Sequence, residues 1–250
     1  ARTRSGEKRI RIWSAGCSTG EEAYTIAIAL RRAIPDVDAW RISILATDIN
    51  PHILQKAAAA VYREWSFRNV PPWLKERCFA AHIDGSYALL PEIRQMVTFA
   101  YLNLAEDVFP SALNNTSAMD VILCRNVLMY FSPERGRQIG ENFRRALLPG
   151  GWLMVSACEL SQSLFPRFTA VHFPDAIVYR KDDEAQRPAA TVPAYPAAML
   201  ESLFAPPAKP SVASDAAAPS ARSVPRTMPD RPSGEAPTEP LDSGAGDAQL

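Results

Sequence analysis

The feature that most constrains the fold is a regular alternation of strand-like and helix-like segments along residues 9–181. Apolar runs rich in β-branched residues predict strands, and apolar residues spaced three and four apart predict helices. The predicted strands lie at 9–14, 40–47, 97–102, 119–124, 152–157, 168–173 and 176–180. The predicted helices lie at 21–33, 51–61 and 132–148.

Strands that are apolar along most of their length, and that alternate with helices, are typical of a parallel sheet covered on both faces. The sequence therefore predicts the α/β class, with a doubly wound, mostly parallel sheet. Ligands of such folds bind beyond the carboxyl ends of the strands. The last two strands, separated by Pro174 and Asp175, are expected to form a hairpin that places one antiparallel strand in the sheet.

Turn chemistry predicts where several helices begin and end. Pro51 follows Asn50 and suits the first position of a helix, and Pro133 follows Ser132, which suits the capping position. Residues 149–151, with the sequence Pro-Gly-Gly, are expected to end the third helix.

The stretch at 62–96, between the second and third predicted strands, is too long and irregular for one crossover helix. It holds a short helical pattern at 72–79 and a hairpin pattern that turns at Asp84 and Gly85. We expect 62–96 to form a small β-subdomain inserted into a domain that spans 1–181.

Composition changes sharply after residue 181. Residues 182–250 hold 12 of the 22 prolines, with five basic and ten acidic residues, whereas every tryptophan and cysteine lies before them. Residues 182–250 hold too few large apolar side chains to offset the conformational entropy lost on folding. We therefore expect a disordered C-terminal tail or linker at 182–250. The alternative for residues 197–204, AAMLESLF, is a transient helix or a docking motif.

The remaining composition excludes several classes of protein. No apolar run approaches the roughly 20 residues of a spanning helix, and residues 1–9 lack an apolar signal core, so we expect a cytoplasmic protein without membrane insertion. A formal net charge of zero argues against nucleic-acid binding by bulk electrostatics. The three histidines and four cysteines share no ligand spacing, so no metal site is expected. Because the chain starts at Ala1, a fragment or processed product is expected.

The turn after the first strand, residues 14–22, is the most informative stretch. Gly16 and Gly20 allow a tight turn and a close approach to a ligand, and Thr19 with Glu22 fits a capping box. The spacing matches neither the dinucleotide-binding nor the phosphate-binding glycine motif.

Two carboxylates, Glu21 and Glu22, stand at the start of the following helix. They would repel a phosphate and favour a cationic or zwitterionic ligand that carries hydroxyl groups. The alternative is that both merely cap the helix and offset its dipole.

Polar residues also follow the next three strands, on the same predicted edge of the sheet. Asp48 is placed to accept hydrogen bonds from ribose hydroxyls, and its alternative is a turn residue that caps the next helix. Asn103 and Asn126 each offer a donor and an acceptor, which suits an adenine edge or the carboxylate and amine of an amino acid. The alternative for each asparagine is a turn residue that satisfies local backbone.

Five segments together resemble the successive signatures of a known family: WSAGCSTGEEAY, LATDINPHIL, YLNL, CRNVLMYF and LLPGGWLMVSACE. They are similar to the CheR-type chemotaxis receptor methyltransferases, which are class I, Rossmann-like and dependent on S-adenosylmethionine. The resemblance spans roughly 9–180. It implies that 1–181 is the methyltransferase domain and that 62–96 is the family's β-subdomain, which in some members docks a receptor-borne peptide.

The resemblance implies a protein-glutamate O-methyltransferase that converts S-adenosylmethionine to S-adenosylhomocysteine and makes γ-glutamyl methyl esters. Its partner would be the cytoplasmic domain of a methyl-accepting chemotaxis receptor, and a monomer is expected. An ionised glutamate needs no general base, so catalysis reduces to positioning and desolvation. The implied cofactor contacts are Ala15, Gly16, Glu22, Asp48, Asn103, Leu104, Asn126 and Val127. Tyr130 corresponds to a tyrosine near the transferred methyl, and its alternative is a buried aromatic with a satisfied hydroxyl.

The chain departs from the family pattern at three places. It starts downstream of the family's N-terminal helical domain and of a linker arginine that helps bind the cofactor. Residues 157–159 are Ala-Cys-Glu where the family usually has His-Ser-Glu, and Cys17 lies in the cofactor turn, where we expect it to be a small apolar filler.

Two further readings of function stay open at this point. One is methylation of another protein or a small molecule by the same cofactor fold. The other is a non-catalytic module that binds the cofactor or a receptor. A basic cluster in the insertion is either a solvated face or a docking face for an acidic receptor helix. It consists of Arg63, Arg68, Lys75 and Arg77.

Overall fold

The computed structural model of the chain describes residues 6–68, 70–106 and 108–182. The strands are β1 (Arg9–Ala15), β2 (Arg41–Asp48), β3 (Val61–Tyr62), β4 (Phe79–Ala81), β5 (Tyr87–Leu89), β6 (Val97–Tyr101), β7 (Met119–Cys124), β8 (Leu147–Val155), β9 (Phe168–Phe173) and β10 (Ala176–Lys181). The helices are α1 (Glu21–Ala33), α2 (Pro51–Ala59), α3 (Pro72–Cys78), α4 (Pro91–Arg94) and α5 (Pro133–Ala146).

Seven strands form one sheet in the order β6-β2-β1-β7-β8-β10-β9. The pairs β6–β2, β2–β1, β1–β7 and β7–β8 are parallel, and β10 runs antiparallel to both β8 and β9. This confirms the predicted doubly wound, mostly parallel sheet and its closing hairpin.

Helices cover both faces of this sheet. Neighbouring residues of a strand point to opposite sides, so the apolar strands contribute buried side chains to both faces. On β1, Trp13 is buried in one core with Phe143 of α5, and the ring centroids lie 5.4 Å apart. Its neighbour Ile12 belongs to a second core, which contains Tyr24 of α1 and Leu54 of α2. The sheet is therefore buried on both sides, as its apolar strands require.

The chain order opens a crevice at the carboxyl edge of the sheet. After β1 the chain builds β2 and β6 on one side, and it then crosses to β7 on the other side of β1. The loops that follow β1 and β7 therefore lead in opposite directions. Such a switch point is where open α/β sheets bind ligands.

A second sheet of three strands, in the order β3-β5-β4, lies within the segment between β2 and β6. Antiparallel pairing of β4 with β5 confirms the predicted hairpin, and Gly85 at its turn has a φ of +74°. The short helical pattern is confirmed as α3. The assignment of 62–96 as a subdomain stays a prediction.

The boundary between α5 and β8 differs from the prediction. The helix ends at Ala146, and residues 149–151, which were expected to end it, lie inside β8. Leu147 is the reason, because it is buried and pairs with Met119 of β7, so the backbone must already be extended there. The extra residues are absorbed by an irregularity in the register between Met119 and Val121. Helix α2 also ends earlier than predicted, at Ala59, because Ala60 adopts a left-handed backbone with a φ of +55°.

The predicted tail at 182–250 falls, apart from Asp182, outside the described residues. Among the residues that are described, no helix has the length and apolarity needed to cross a membrane.

Two glycines one turn apart on α5 provide a matched test of this packing. A Cβ at Gly140 would lie 2.8 Å from the carbonyl oxygen of Leu164, whereas a Cβ at Gly136 would meet only the Leu164 side chain. We expect Gly140→Ala to lower the free energy of unfolding by about 1–3 kcal/mol, because backbone cannot move aside. Gly136→Ala is expected to be neutral, or stabilising by up to about 1 kcal/mol, since alanine favours a helix. Chemical denaturation measures both, and equal stabilities would contradict the packing.

Candidate functional site

A cavity of about 890 Å³ lies at the carboxyl edge of the large sheet. Loops that follow β1, β2, β6 and β7 contribute its walls, as expected for a switch point. Eight of the nine predicted site residues line it: Gly16, Glu22, Asp48, Asn103, Leu104, Asn126, Val127 and Tyr130. The ninth, Ala15, is buried in the core and is not among the lining residues. The structure thus brings these residues together, while their role toward a cofactor stays a prediction.

The turn after β1 is fastened to the end of β2. The backbone N–H groups of Gly16 and Cys17 both donate to the carbonyl of Thr47, at 2.8 and 2.9 Å. Gly16 has a φ of +84°, and a Cβ there would lie 2.4 Å from the Cγ2 atom of Val127. Only glycine therefore allows the loops after β1 and β7 to approach this closely.

The predicted capping box of Thr19 and Glu22 is wrong. Gly20 occupies the capping position of α1 with a φ of +91°, and no side chain caps the helix. Thr19 instead donates to Glu21 at 2.6 Å. Glu22 accepts from the Ser14 hydroxyl at 2.8 Å and lies 3.4 Å from Arg125. Its carboxylate is therefore part of the cavity wall and not of the helix cap.

Asp48 does not cap α2, because Asn50 does so by accepting from the N–H groups of His52 and Ile53. The carboxylate of Asp48 accepts from the backbone N–H of Ser18 at 2.9 Å and of Asn50 at 3.0 Å. A carboxylate has about four acceptor positions, so two remain for a ligand.

Asn103 shows both of the behaviours considered for it. Its side chain accepts from the N–H of Ala105 at 2.9 Å and donates to Glu106 at 3.0 Å, which stabilises the local turn. It also lines the cavity, next to the apolar side chain of Leu104.

The loop after β7 is held by Glu159, a residue to which the sequence assigned no role. This carboxylate is 4% exposed. It accepts from the backbone N–H groups of Asn126, Val127 and Leu128 at 2.7–2.8 Å, of Met129 at 3.4 Å and of Ser156 at 3.1 Å, and from the Ser156 hydroxyl. The signal that would have found it is Ser156-x-x-Glu159, a capping-box spacing that the structure confirms.

The protonation state of Glu159 reflects the number of hydrogen bonds that its carboxylate accepts. Burial by itself would raise its pKa, but the hydrogen bonds from Ser156 and from the backbone of Asn126 and Val127 outweigh burial and lower the pKa. The group is therefore a carboxylate at neutral pH. Its charge stabilises the left-handed backbone of Asn126, which has a φ of +58°.

Tyr130 ends the short 3-10 turn Leu128–Tyr130, which follows the loop held by Glu159. Its side chain is 82% exposed, so the alternative of a buried aromatic is wrong. Leu128, two residues earlier, is buried in the core and anchors the turn. The tyrosine is thereby presented at the cavity.

Cys17 behaves as a packing residue. It is 3% exposed, and burial, followed by the nearby charge of Asp48, raises the pKa of its thiol to about 12. A thiol with such a pKa is unreactive at neutral pH, which agrees with the interpretation of a small apolar filler.

The charges of the cavity favour a cationic ligand with hydroxyl groups. Glu21, Glu22 and Asp48 line it, and the guanidinium of Arg125 offsets only Glu22. Acceptors on Asp48 suit a ribose, and the apolar walls of Leu104 and Val127 suit a nucleobase. These residues fit a sulfonium nucleoside. The fold and cavity are those of the class I S-adenosylmethionine-dependent methyltransferases.

Comparison with known proteins agrees with this class. Residues 1–176 match the family model "CheR methyltransferase, SAM binding domain", and the chain belongs to that family. It is 38% identical over 180 residues to chemotaxis protein methyltransferase 2 of Vibrio cholerae, covering 72% of this chain and 61% of that protein. It is 34% identical over 181 residues to chemotaxis protein methyltransferase 1 of Pseudomonas aeruginosa, covering 70% and 64%. The chain thus spans less than two thirds of either relative.

We expect Glu159→Gln to lower the free energy of unfolding at pH 7 by about 2–4 kcal/mol. The NH2 group of the glutamine amide would face backbone N–H groups, which would then lack an acceptor. Glu141→Gln is the control. Glu141 pairs with Arg144 and Arg167 at the surface of α5, and its loss is expected to cost less than about 1 kcal/mol.

The pH dependence gives a second readout of the same variant. Because the folded-state pKa of Glu159 is lowered, its contribution is complete above the unfolded-state pKa of about 4.3 and is lost as the pH falls through the folded value. The stability difference between wild type and Glu159→Gln should therefore shrink below about pH 4. Denaturation at several pH values measures it, and a difference that does not depend on pH would contradict the assignment.

Proposed function

We propose that the chain transfers the methyl group of S-adenosylmethionine to glutamate side chains of chemotaxis receptors, giving γ-glutamyl methyl esters and S-adenosylhomocysteine. The observation that carries the proposal is the meeting of Glu22, Asp48, Asn103 and Asn126 at one cavity, each at or beyond the carboxyl end of a different one of the adjacent strands β6, β2, β1 and β7. The names of the chemotaxis relatives support the choice of substrate.

In this proposal the carboxylates hold the cofactor. Asp48 accepts from the ribose hydroxyls with the acceptor positions left free by Ser18 and Asn50. Glu22, already oriented by Ser14, holds the ammonium group of the methionyl part. Asn103 and Asn126 offer donors and acceptors to the base and the amino-acid group, between the apolar side chains of Leu104 and Val127.

The cofactor supplies an electrophilic methyl group, so this chain needs only to position its reactants. A glutamate with a pKa near its reference value of about 4.3 is already ionised, and no side chain must remove a proton. Tyr130, which is exposed at the cavity, orients the incoming carboxylate with its hydroxyl. The loops around the cavity exclude water from the two charged partners, which raises their effective concentration.

The partner in this proposal is the cytoplasmic domain of a methyl-accepting chemotaxis receptor. The three-stranded sheet, as the β-subdomain at 62–96, would dock it, with the basic side chains of Arg63 and Arg77 on the same segment. We extend the proposal to a monomeric cytoplasmic protein with a methyltransferase domain at 1–181 and a linker or tail at 182–250.

Asp48→Ala is expected to weaken the binding of S-adenosylhomocysteine by about 1–3 kcal/mol, or roughly 5- to 150-fold, because the ribose hydroxyls lose their acceptor. Isothermal titration calorimetry measures the affinity. The control is Asp38→Ala, which removes an exposed carboxylate that pairs with Arg31 away from the cavity, and which should bind like the wild type. Equal affinities of the two variants would contradict the ribose assignment.

The reaction is tested with methyl-labelled S-adenosylmethionine and a receptor cytoplasmic fragment. Label that enters the receptor and is released by base is the expected result, because carboxyl methyl esters hydrolyse readily. Base-stable label would favour methylation of a different group. Calorimetric binding of the cofactor with no label in any receptor would instead favour the non-catalytic module.

A further inference from the structure

Two cationic side chains line the cavity within the described residues, and they differ in their partners. Arg125 lies 3.4 Å from the carboxylate of Glu22. Arg68, in the inserted segment, has no carboxylate partner among the described residues. Its cavity-lining neighbour Ser66 donates to Glu21 at 3.2 Å. Arg68 therefore lines the cavity without forming an ion pair with a described carboxylate.

The guanidinium of Arg68 is held in place without using most of its donors. It lies 4.4 Å from the centre of the Trp65 ring, and its Nη1 atom donates to the carbonyl of Trp65 at 2.9 Å. A guanidinium has five N–H donors, so four remain after this bond. A stacked guanidinium with free paired donors is suited to bind a carboxylate with two parallel hydrogen bonds.

The electrostatics of the cavity require such a group. The carboxylates that suit a cationic cofactor, Glu21, Glu22 and Asp48, would repel a glutamate that approaches the same cavity. A cation that lines the same cavity, as Arg68 does, offsets this repulsion. Two exposed aromatic side chains in the same region, Trp65 at 75% and Tyr130 at 82%, provide apolar surface that a bound substrate would cover.

We propose that Arg68 receives the carboxylate of the substrate glutamate and sets the preference of the site for glutamate over glutamine; this rests on the proposed function. In the transfer, a carboxylate oxygen forms a bond to the methyl carbon while the bond from that carbon to the sulfonium sulfur breaks. The substrate becomes a neutral ester and the sulfonium a neutral thioether. Arg68 thus loses its anionic partner on turnover, which weakens the hold on the product.

The test compares receptor cytoplasmic fragments that carry Glu or Gln at the methylation sites, titrated into the chain with S-adenosylhomocysteine bound. Wild type is expected to bind the Glu form about tenfold or more tightly, as for a charge-assisted pair. Arg68→Gln should remove this preference, and Arg68→Lys should retain part of it. Arg137→Gln, which removes an equal charge from the exposed face of α5, should retain all of it. Every variant should bind S-adenosylhomocysteine with wild-type affinity.

Methyl transfer gives the matching kinetic readout. Arg68→Gln is expected to raise the KM for the receptor about 10- to 100-fold, with a smaller effect on kcat. A Glu preference that survives in Arg68→Gln, or an equal loss of affinity for both forms of the receptor, would overturn the inference. If the wild type labels the receptor and Arg68→Gln has the same KM as the wild type, the inference about Arg68 is overturned and the proposed function stands. A wild type that methylates no receptor glutamate would overturn the proposed function as well.

Discussion

A single buried carboxylate, that of Glu159, accepts hydrogen bonds from the successive N–H groups of residues 126–129 and from Ser156, and so joins the end of β7 to the end of β8. Those N–H groups have no strand partner because the chain turns there. The buried charge of Glu159 is in turn satisfied by these N–H groups and by the Ser156 hydroxyl. These hydrogen bonds hold Asn126, Val127 and the turn that carries Tyr130 in position. The close approach of Val127 to Gly16 then fixes the opposite wall of the cavity.

The distribution of charge around the cavity is compatible with both proposed reactants. The carboxylates that line the cavity are Glu21 and Glu22 in the first turn of α1 and Asp48 at the end of β2, and this arrangement would favour a cation with hydroxyl groups. Arg68, which has no carboxylate partner among the residues that the structure describes, belongs to the inserted segment. Methyl transfer from a sulfonium to a carboxylate cancels one positive and one negative charge, so the sulfur and the carboxyl group that react are both neutral in the products. The inserted segment therefore contributes two cavity-lining residues, Ser66 and Arg68, as well as a second small sheet.

The sequence predicted what depends on local periodicity and on strand direction. The limits of α1, β7 and β9 follow from their apolar patterns, and Asp48, Asn103 and Asn126 could be placed at one edge because parallel strands end together. One local backbone conformation and several contacts between residues that are distant in the chain were missed. The capping box of Thr19 failed because Gly20 adopts a left-handed backbone, and Glu159 meets donors some 30 residues away. The start of β8 at Leu147 is imposed by its pairing with β7, which no local pattern reveals.

We propose that the loop held by Glu159 and the turn at Gly16 together form the binding site of a sulfonium nucleoside. A crystal structure of the chain with S-adenosylhomocysteine tests it most directly. The nucleoside is expected to lie in the cavity at the carboxyl edge, with its ribose hydroxyls within hydrogen-bonding distance of Asp48 and with the hydrogen bonds to Glu159 unchanged. A nucleoside bound elsewhere, or a loop at 126–129 that has left Glu159, would contradict it.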